Sequence, residues 1–157
     1  MQNHVQRAVA SDFQGIAALD ACAWGNEAFI VDGEHTWRIW CEYSKVYLIR
    51  SDEPAVADTQ GIAAAMVIYL CDDGRGMLHK IMVHPSCRGQ GHGTLLLKEA
   101  LSHAMTDVLL TVDPANSRAV GLYEHLGFET IKHVKGFYRD HEDRYVMVWK
   151  PAGKFVQ

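Results

Sequence analysis

No cysteine in this chain stands within three residues of another: Cys22, Cys41, Cys71 and Cys87 are far apart. That spacing excludes a Cys-x-x-Cys redox motif, argues against a zinc knuckle, and leaves four reduced thiols as the plain reading. Positive charge is also short. Fifteen Lys and Arg face 19 Asp and Glu, for a formal net charge of −4. A general nucleic-acid or anionic-membrane surface is therefore not expected, and any anionic ligand must be caught by a local cleft. Long apolar runs are missing. Ile62 to Leu70 is the longest, far below the ~20 residues of a membrane helix, and the Met1-Gln2-Asn3-His4 start lacks the apolar core of a signal peptide. The expectation is a soluble, cytoplasmic protein. Internal repeats and low-complexity tracts are absent too, and 157 residues fit one domain over 1–157 that buries roughly 70% of its unfolded surface.

What the chain does contain is punctuated apolar periodicity. Val5 to Val9 alternates as a short strand, and Ser11-Asp12 offers a cap for a helix carrying Phe13, Ile16, Leu19 and Ala23 on one face. Trp24 to Gly33 is irregular, the kind of segment that carries substrate contacts, and Trp37, Trp40 and Cys41 mark a second, shorter helix. Lys45 to Arg50 reads as a strand, Ser51 to Gln60 as a polar loop, and Gly61 to Leu70 as a strand covered on both faces. After a turn at Asp72 to Gly76, Leu78 to Val83 is a strand, Leu97, Ala100, Leu101 and Ala104 form a helical stripe, and Val108 to Val112 is another buried strand. Ala119, Leu122, Tyr123 and Leu126 form the next stripe, ended by Gly127, and Phe128 to Val134 and Arg144 to Trp149 are the last two strands. A strand meander followed by strand–helix alternation implies a mixed sheet with helices on both faces.

The richest stretch is Leu78 to Leu97, which reads as strand, glycine loop, helix. Gly89, Gly91 and Gly93 alternate just where the helix begins, so several N–H groups can converge on one anion beside a positive dipole end. A phosphate loop of the Gly-x-x-x-x-Gly-Lys-Ser/Thr type fails because no lysine follows the last glycine. A dinucleotide fold would use Asp113, at the end of the next strand, on a ribose. However, Gly-x-Gly-x-Gly is the wrong spacing, and that fingerprint belongs at a fold's first turn.

The loop resembles the Arg/Gln-x-x-Gly-x-Gly/Ala signature of the GCN5-related N-acetyltransferases (GNAT), as Arg88-x-x-Gly91-x-Gly93 preceded by Val83-His84-Pro85. Downstream, Asn116 followed by Ala119-Val120-Gly121-Leu122-Tyr123-Glu124-His125-Leu126-Gly127-Phe128 is similar to the family's Asn-x-x-Ala-x-x-Leu-Tyr-x-x-x-Gly-Phe segment. The resemblance spans nearly the whole chain and is weakest from Trp24 to Gln60, where members vary with substrate. It implies a GNAT fold: mixed α/β, six to seven strands in a mostly antiparallel sheet, helices on both faces, and a splayed central parallel pair. It also implies acetyl-coenzyme A as co-substrate, no metal, and direct attack by a primary amine.

Carried over residue by residue, Arg88, Gly89, Gln90, Gly91, His92, Gly93 and Thr94 would hold a pyrophosphate, mainly through backbone N–H groups. A merely structural turn is the alternative. The backbone of Ile81, Met82 and Val83 would pair with the pantetheine arm as an added strand. Arg88 either adds charge to the phosphate contact or is a solvated surface residue. Tyr123 would contact the cofactor and return a proton to the departing thiolate, although its place on an apolar stripe reads as core. Asn116 would contact cofactor or substrate, with helix capping as its alternative. Trp24 and Glu27 in the irregular segment, with Tyr138, are the expected acceptor contacts.

The base depends on the acceptor, because an amine must be neutral to attack. An ammonium of pKa about 10.4 costs about 4.6 kcal/mol to deprotonate at pH 7, and an α-amine near 7.8 about 1 kcal/mol. His79 occupies the strand position where many family members carry a glutamate base, so it is either the base, acting through water, or a structural histidine. Ribosomal-protein N-terminal acetyltransferases carry a glutamate on the next strand, where this chain has Thr111, which cannot act as a base. The segment Lys135 to Met147 is nevertheless similar to the tyrosine-containing hairpin with which protein N-terminal acetyltransferases grip a peptide end, a solvated turn being its alternative. Cys87 as a covalent acetyl carrier is disfavoured by the family's direct route. The acceptor is thus a peptide or protein N-terminus, or a small amine such as a polyamine, amino sugar or antibiotic. A non-catalytic acyl-coenzyme A-binding module is the rival from another class. No nucleic acid or membrane partner is expected, and the C-terminal strands offer an edge for a homodimer.

Overall fold

The computed structural model describes residues 4–24 and 31–151, so Glu27 lies outside the described residues. The chain divides into two compact units, Met1–Tyr69 with Lys80–Ala100, and Leu70–His79 with Leu101–Gln157. Its strands are β1 (Val5–Arg7), β2 (Lys45–Arg50), β3 (Ile62–Leu70), β4 (Gly76–Val83), β5 (Val108–Val112), β6 (Glu129–Val134) and β7 (Arg144–Trp149). The helices are α1 (Phe13–Ala23), α2 (Glu34–Tyr43), α3 (His92–Ser102) and α4 (Ser117–His125). The seven strands join in the order β1-β2-β3-β4-β5-β7-β6, with β4 and β5 as the parallel pair of a mostly antiparallel sheet. Among the described residues no helix is long and apolar enough to cross a membrane.

In the first unit, the stripes read from the sequence become a core. Ile16, Leu19 and Ala23 of α1, Trp37 and Cys41 of α2, and Val46, Leu48, Ile62, Ala65, Val67 and Met82 from the strands are all buried together. Each large side chain fully withdrawn from water there contributes about 1.5–3 kcal/mol. Trp37 meets Trp40 edge-on with ring centroids 4.9 Å apart, the offset that aromatic quadrupoles favour. β1 stops early because the Val9 N–H leaves the sheet and donates to Asp12 Oδ2 at 2.9 Å. Asp12 also pairs with Arg50, so it ties chain segments together where a simple helix cap is expected.

The stretch Ser51 to Gln60 departs from its reading as a polar loop. Pro54–Thr59 is a 3-10 turn with Val56 and Thr59 buried. Thr59 Oγ1 reaches the carbonyls of Val56 at 3.1 Å and Ile62 at 2.7 Å, which lets a polar side chain sit in the core with its hydrogen-bonding capacity used. Gln60 and Gly61 then carry φ of 54° and 78° to turn into β3.

In the second unit, the parallel ladder joins Gly76 to Val108 and Met77 to Leu109, the first residues of β4 and β5. β5 then pairs antiparallel with β7 along its whole length, Val108 with Trp149 through Val112 with Tyr145. Leu109, Leu110, Phe128, Met147 and Val148 are buried. β6 is the edge strand. Five of its six residues are exposed and its register shifts at Ile131, an irregularity of the kind that blunts an open edge.

Candidate functional site

The glycine loop is built on a histidine that the sequence reading leaves unassigned. β4 ends at Val83, and His84 accepts the Ser86 N–H on Nδ1 at 3.1 Å while Nε2 lies 3.1 Å from Asp58 Oδ1. The Nδ1 contact places the ring proton on Nε2, where it donates to the carboxylate. Cys22 joins these two residues, with polar atoms of all three within 4.8 Å. The tautomer leaves no lone pair on Nε2 for a metal, so the trio reads as a hydrogen-bonded latch beneath the loop. Burial, reinforced by Asp58, pushes the Cys22 thiol up, and burial does the same to Cys87. Neither is an activated thiolate nucleophile.

Beyond Cys87 the backbone opens. Gly89 and Gly91 adopt φ of +77° and +80° with nothing within 4 Å of an added Cβ, which explains glycine there and leaves bare space above the main chain. α3 begins at once: its first bond runs from the Leu95 N–H to the Gly91 carbonyl at 3.0 Å. The N–H groups of His92, Gly93 and Thr94 therefore precede the first intrahelical bond, at the positive end of the dipole. The His92 side chain is 3% exposed and its Nδ1 has no hydrogen-bond partner, so its backbone is what it offers a ligand. Burial lowers its pKa. Arg88 donates to the Ala23 carbonyl at the end of α1, a fixed position rather than a loose surface side chain.

Inside the first unit β4 supplies Ile81 and Val83, half-buried, and Met82, buried. Lys80 sits on the same face as Met82 in a charge cluster that the sequence reading does not foresee. Its Nζ lies 2.9 Å from both oxygens of Asp20 and 2.9 Å from Asp32 Oδ2. Asp20, fully buried on α1, also accepts from the indole N–H groups of Trp24 at 2.8 Å and Trp37 at 3.0 Å, and from the Asp32 backbone N–H at 2.9 Å. The signal was available: Asp20 falls on the Ile16–Ala23 stripe, and Lys80 falls on the inward phase of β4 between Leu78 and Met82.

In the second unit His79 is exposed on β4. Asn116 caps α4, its side chain accepting the Ala119 N–H at 3.2 Å. The α4 stripe has no fully buried residue, so Tyr123 is half-buried rather than core. Its ring meets Phe128 at 5.7 Å and 62°, and burial raises its pKa, keeping the phenol protonated at neutral pH. Thr111 Oγ1 and the Tyr138 hydroxyl come within 3.5 Å, and Arg144 lies over the Tyr138 ring at 5.2 Å. The β6–β7 connection carrying Tyr138 also forms a shallow, solvent-open depression lined by Lys135, Gly136, Asp140, His141 and Asp143.

Comparison with known proteins places this arrangement in a class. The sequence profile of the Acetyltransferase (GNAT) family matches residues 13–128, and the chain belongs to that family. An N-alpha-acetyltransferase of Saccharolobus solfataricus is 35% identical over 78 residues, 46% of this chain and 47% of the relative. The matches span about half the length of such curated relatives. The fold is similar to that of the ribosomal-protein-S18-alanine N-acetyltransferase of Escherichia coli, with a TM-score of 0.78 over 99% of both chains at 22% identity. It is equally similar to a Salmonella typhimurium protein solved with acetyl-CoA as its cofactor, with a TM-score of 0.78 over 100% of this chain and 98% of the other at 15% identity.

Proposed function

We propose that this chain is an acetyl-coenzyme A-dependent N-acetyltransferase acting by direct attack of a primary amine. The observation that carries the reading is the backbone from Gly89 to Thr94: two left-handed glycines with open space above them, followed by N–H groups at the start of α3. Such an array fits a pyrophosphate and needs no metal or lysine to do so. Acetyl-coenzyme A supplies the acetyl group as an activated thioester. The chain's part is to hold the pyrophosphate on the loop and to pair the Ile81–Val83 backbone with the pantetheine arm. His79 draws a proton from the incoming ammonium through water, and the Tyr123 hydroxyl gives one to the departing sulfur. Asn116 caps α4 through Oδ1 and offers its side-chain N–H groups to cofactor or substrate. Burial pushes the Tyr123 phenol up, so the hydroxyl is protonated when the C–S bond breaks, and the proton it gives to the sulfur is replaced from solvent.

A peptide or protein N-terminus is the acceptor favoured by the archaeal N-alpha-acetyltransferase relative and by Tyr138 at the β6–β7 connection, with Trp24 as a further contact. An α-amine also asks least of the base, which suits a chain with Thr111 where a glutamate would otherwise stand. Incubation with labelled acetyl-coenzyme A and a panel of peptides, polyamines and amino sugars tests this. Turnover of peptides above the other amines is expected, and tight cofactor binding without turnover of any amine would leave a non-catalytic acyl-coenzyme A module. Tyr123→Phe is expected to lower kcat about 100-fold while acetyl-coenzyme A affinity stays within about twofold, and an unchanged kcat removes Tyr123 from the chemistry.

A further inference from the structure

We propose that Asp58 and His84 are positioning residues for the cofactor, a pair that sets the path of the chain into the glycine loop by holding the His84 ring in one tautomer. The proposal rests on the reading of Gly89–Thr94 as the pyrophosphate cradle, and every residue it uses lies in the first unit. Only Pro85 to Arg88 separates His84 from Gly89. The backbone at His84 is itself fixed: its N–H donates to the Ala63 carbonyl on β3 at 2.8 Å, and its carbonyl accepts the Cys87 N–H at 2.8 Å. Between these two bonds the chain makes the 3-10 turn Pro85–Cys87, and the Ser86 N–H points back at His84 Nδ1 at 3.1 Å.

A side-chain acceptor for the N–H two residues on is the usual part of Asn or Asp at the head of a turn. Histidine can play it only when Nδ1 carries a lone pair and the ring proton sits on Nε2. Asp58 Oδ1, 3.1 Å from Nε2, is the group that holds the proton there. The other tautomer would set N–H against N–H at Ser86 and a bare nitrogen against a carboxylate. Cys22, kept a neutral thiol by burial, donates instead to the Leu19 carbonyl at 3.5 Å and leaves the Nε2 proton to Asp58. Net stability does not explain the pair, because the Asp58 side chain is 62% exposed and water screens its attraction. An apolar side chain would fill the volume of the buried His84 ring; what the imidazole adds is an acceptor aimed at Ser86. The same turn delivers Cys87 into the core beside Val56 and Ala63 and Arg88 to the Ala23 carbonyl. The geometry at Ser86 therefore sets where Gly89 and Gly91 start, and these glycines have nothing packed above them to hold them otherwise.

The test compares His84→Asn, His84→Leu and Asp58→Ala. Asn keeps an acceptor for the Ser86 N–H and suits a turn before proline, whereas Leu keeps apolar bulk and loses the acceptor. Acetyl-coenzyme A Kd, measured by calorimetry, is expected to weaken about 10-fold in His84→Leu and to stay within about threefold in His84→Asn. The loss in turnover is expected to fall on KM for acetyl-coenzyme A more than on kcat. A histidine that merely fills the core gives the opposite order, because Asn there buries a polar group that Leu does not; that order, or equal effects, overturns the proposal. Asp58→Ala alters an exposed side chain and keeps the test open if His84→Leu fails to fold. Nitrogen-15 NMR of the His84 ring, assigned by the signal missing from His84→Asn, is expected to show the Nε2–H tautomer in the wild type and a mixture in Asp58→Ala. An Nδ1–H ring in the wild type, or a ring unchanged in Asp58→Ala, overturns the proposal. Should the wild type bind no coenzyme A, the pyrophosphate reading fails separately. The pair is then judged by the ring tautomer and by hydrogen exchange of the amides at 86–93: faster exchange in Asp58→Ala than in the wild type supports it, and unchanged exchange overturns it.

Discussion

At the scale of single residues, the informative positions are polar groups at apolar phases. His92 is one. It occupies the first residue of α3, 3% exposed, with Nδ1 unpartnered and its pKa lowered by burial. Stranding a polar atom in this way costs about 1–3 kcal/mol. The buried ring stays neutral, whereas in the unfolded chain it binds a proton below about pH 6.5. Protons therefore favour the unfolded state, so stability is full above about pH 6.5 and declines as pH falls below it. His92→Leu is expected to raise the unfolding free energy by about 1 kcal/mol at pH 7.5, and by more at pH 5.5. Urea unfolding at the two values checks this, and a variant equally destabilised at both would show that the ring is satisfied after all. Asp20 and Lys80 were legible by the same logic, since each is a charge on an inward phase and two such charges of opposite sign call for one another. What the sequence could not supply is which inward charge meets which, because residues 20 and 80 are brought together only by packing.

At the scale of elements, periodicity gave β2, β5 and β7 their observed bounds, and the stripes of α1, α2 and α3 became core. It failed where side chains replace backbone partners. The Pro54–Thr59 turn reads as loop because its burial depends on one hydroxyl, Thr59, bonding two carbonyls. The α4 stripe reads as core, yet none of its residues is fully buried, because apolar spacing marks a face without fixing how much of it the rest of the chain covers. Gly15 shows the reverse limit. Within a helix, glycine to alanine ordinarily gains close to 1 kcal/mol. Here an added Cβ would lie 3.0 Å from the Thr59 carbonyl oxygen and 2.9 Å from Ile62 Cδ1. The methyl side chain can give way, but the backbone carbonyl cannot move without the Thr59 hydrogen bonds. Gly15→Ala is therefore expected to destabilise by about 1–3 kcal/mol, read as a lower thermal midpoint, and a rise in midpoint would refute the close approach of α1 to this turn.

At the scale of the whole molecule, the ligand decides between readings that the glycine loop alone leaves open. Open space over Gly89 and Gly91 and N–H groups at the start of α3 would suit any pyrophosphate, a dinucleotide included. The family match over residues 13–128 favours coenzyme A, whose pantetheine would pair with the Ile81–Val83 backbone under the proposed function, a pairing open to no part of nicotinamide dinucleotide. Binding to the native state alone stabilises it by RT ln(1 + [L]/Kd), about 2.7 kcal/mol at a hundredfold excess over Kd. For a chain of 157 residues, where each kcal/mol moves the midpoint roughly 2–4 °C, coenzyme A should raise the melting temperature by about 5–11 °C. NAD at the same concentration should leave it within about 1 °C, because its pyrophosphate gains the loop but its second nucleoside lacks the strand pairing. Equal shifts from both ligands would return the loop to a generic anion cradle. A shift from neither would remove the cofactor, and with it the proposed chemistry of Tyr123.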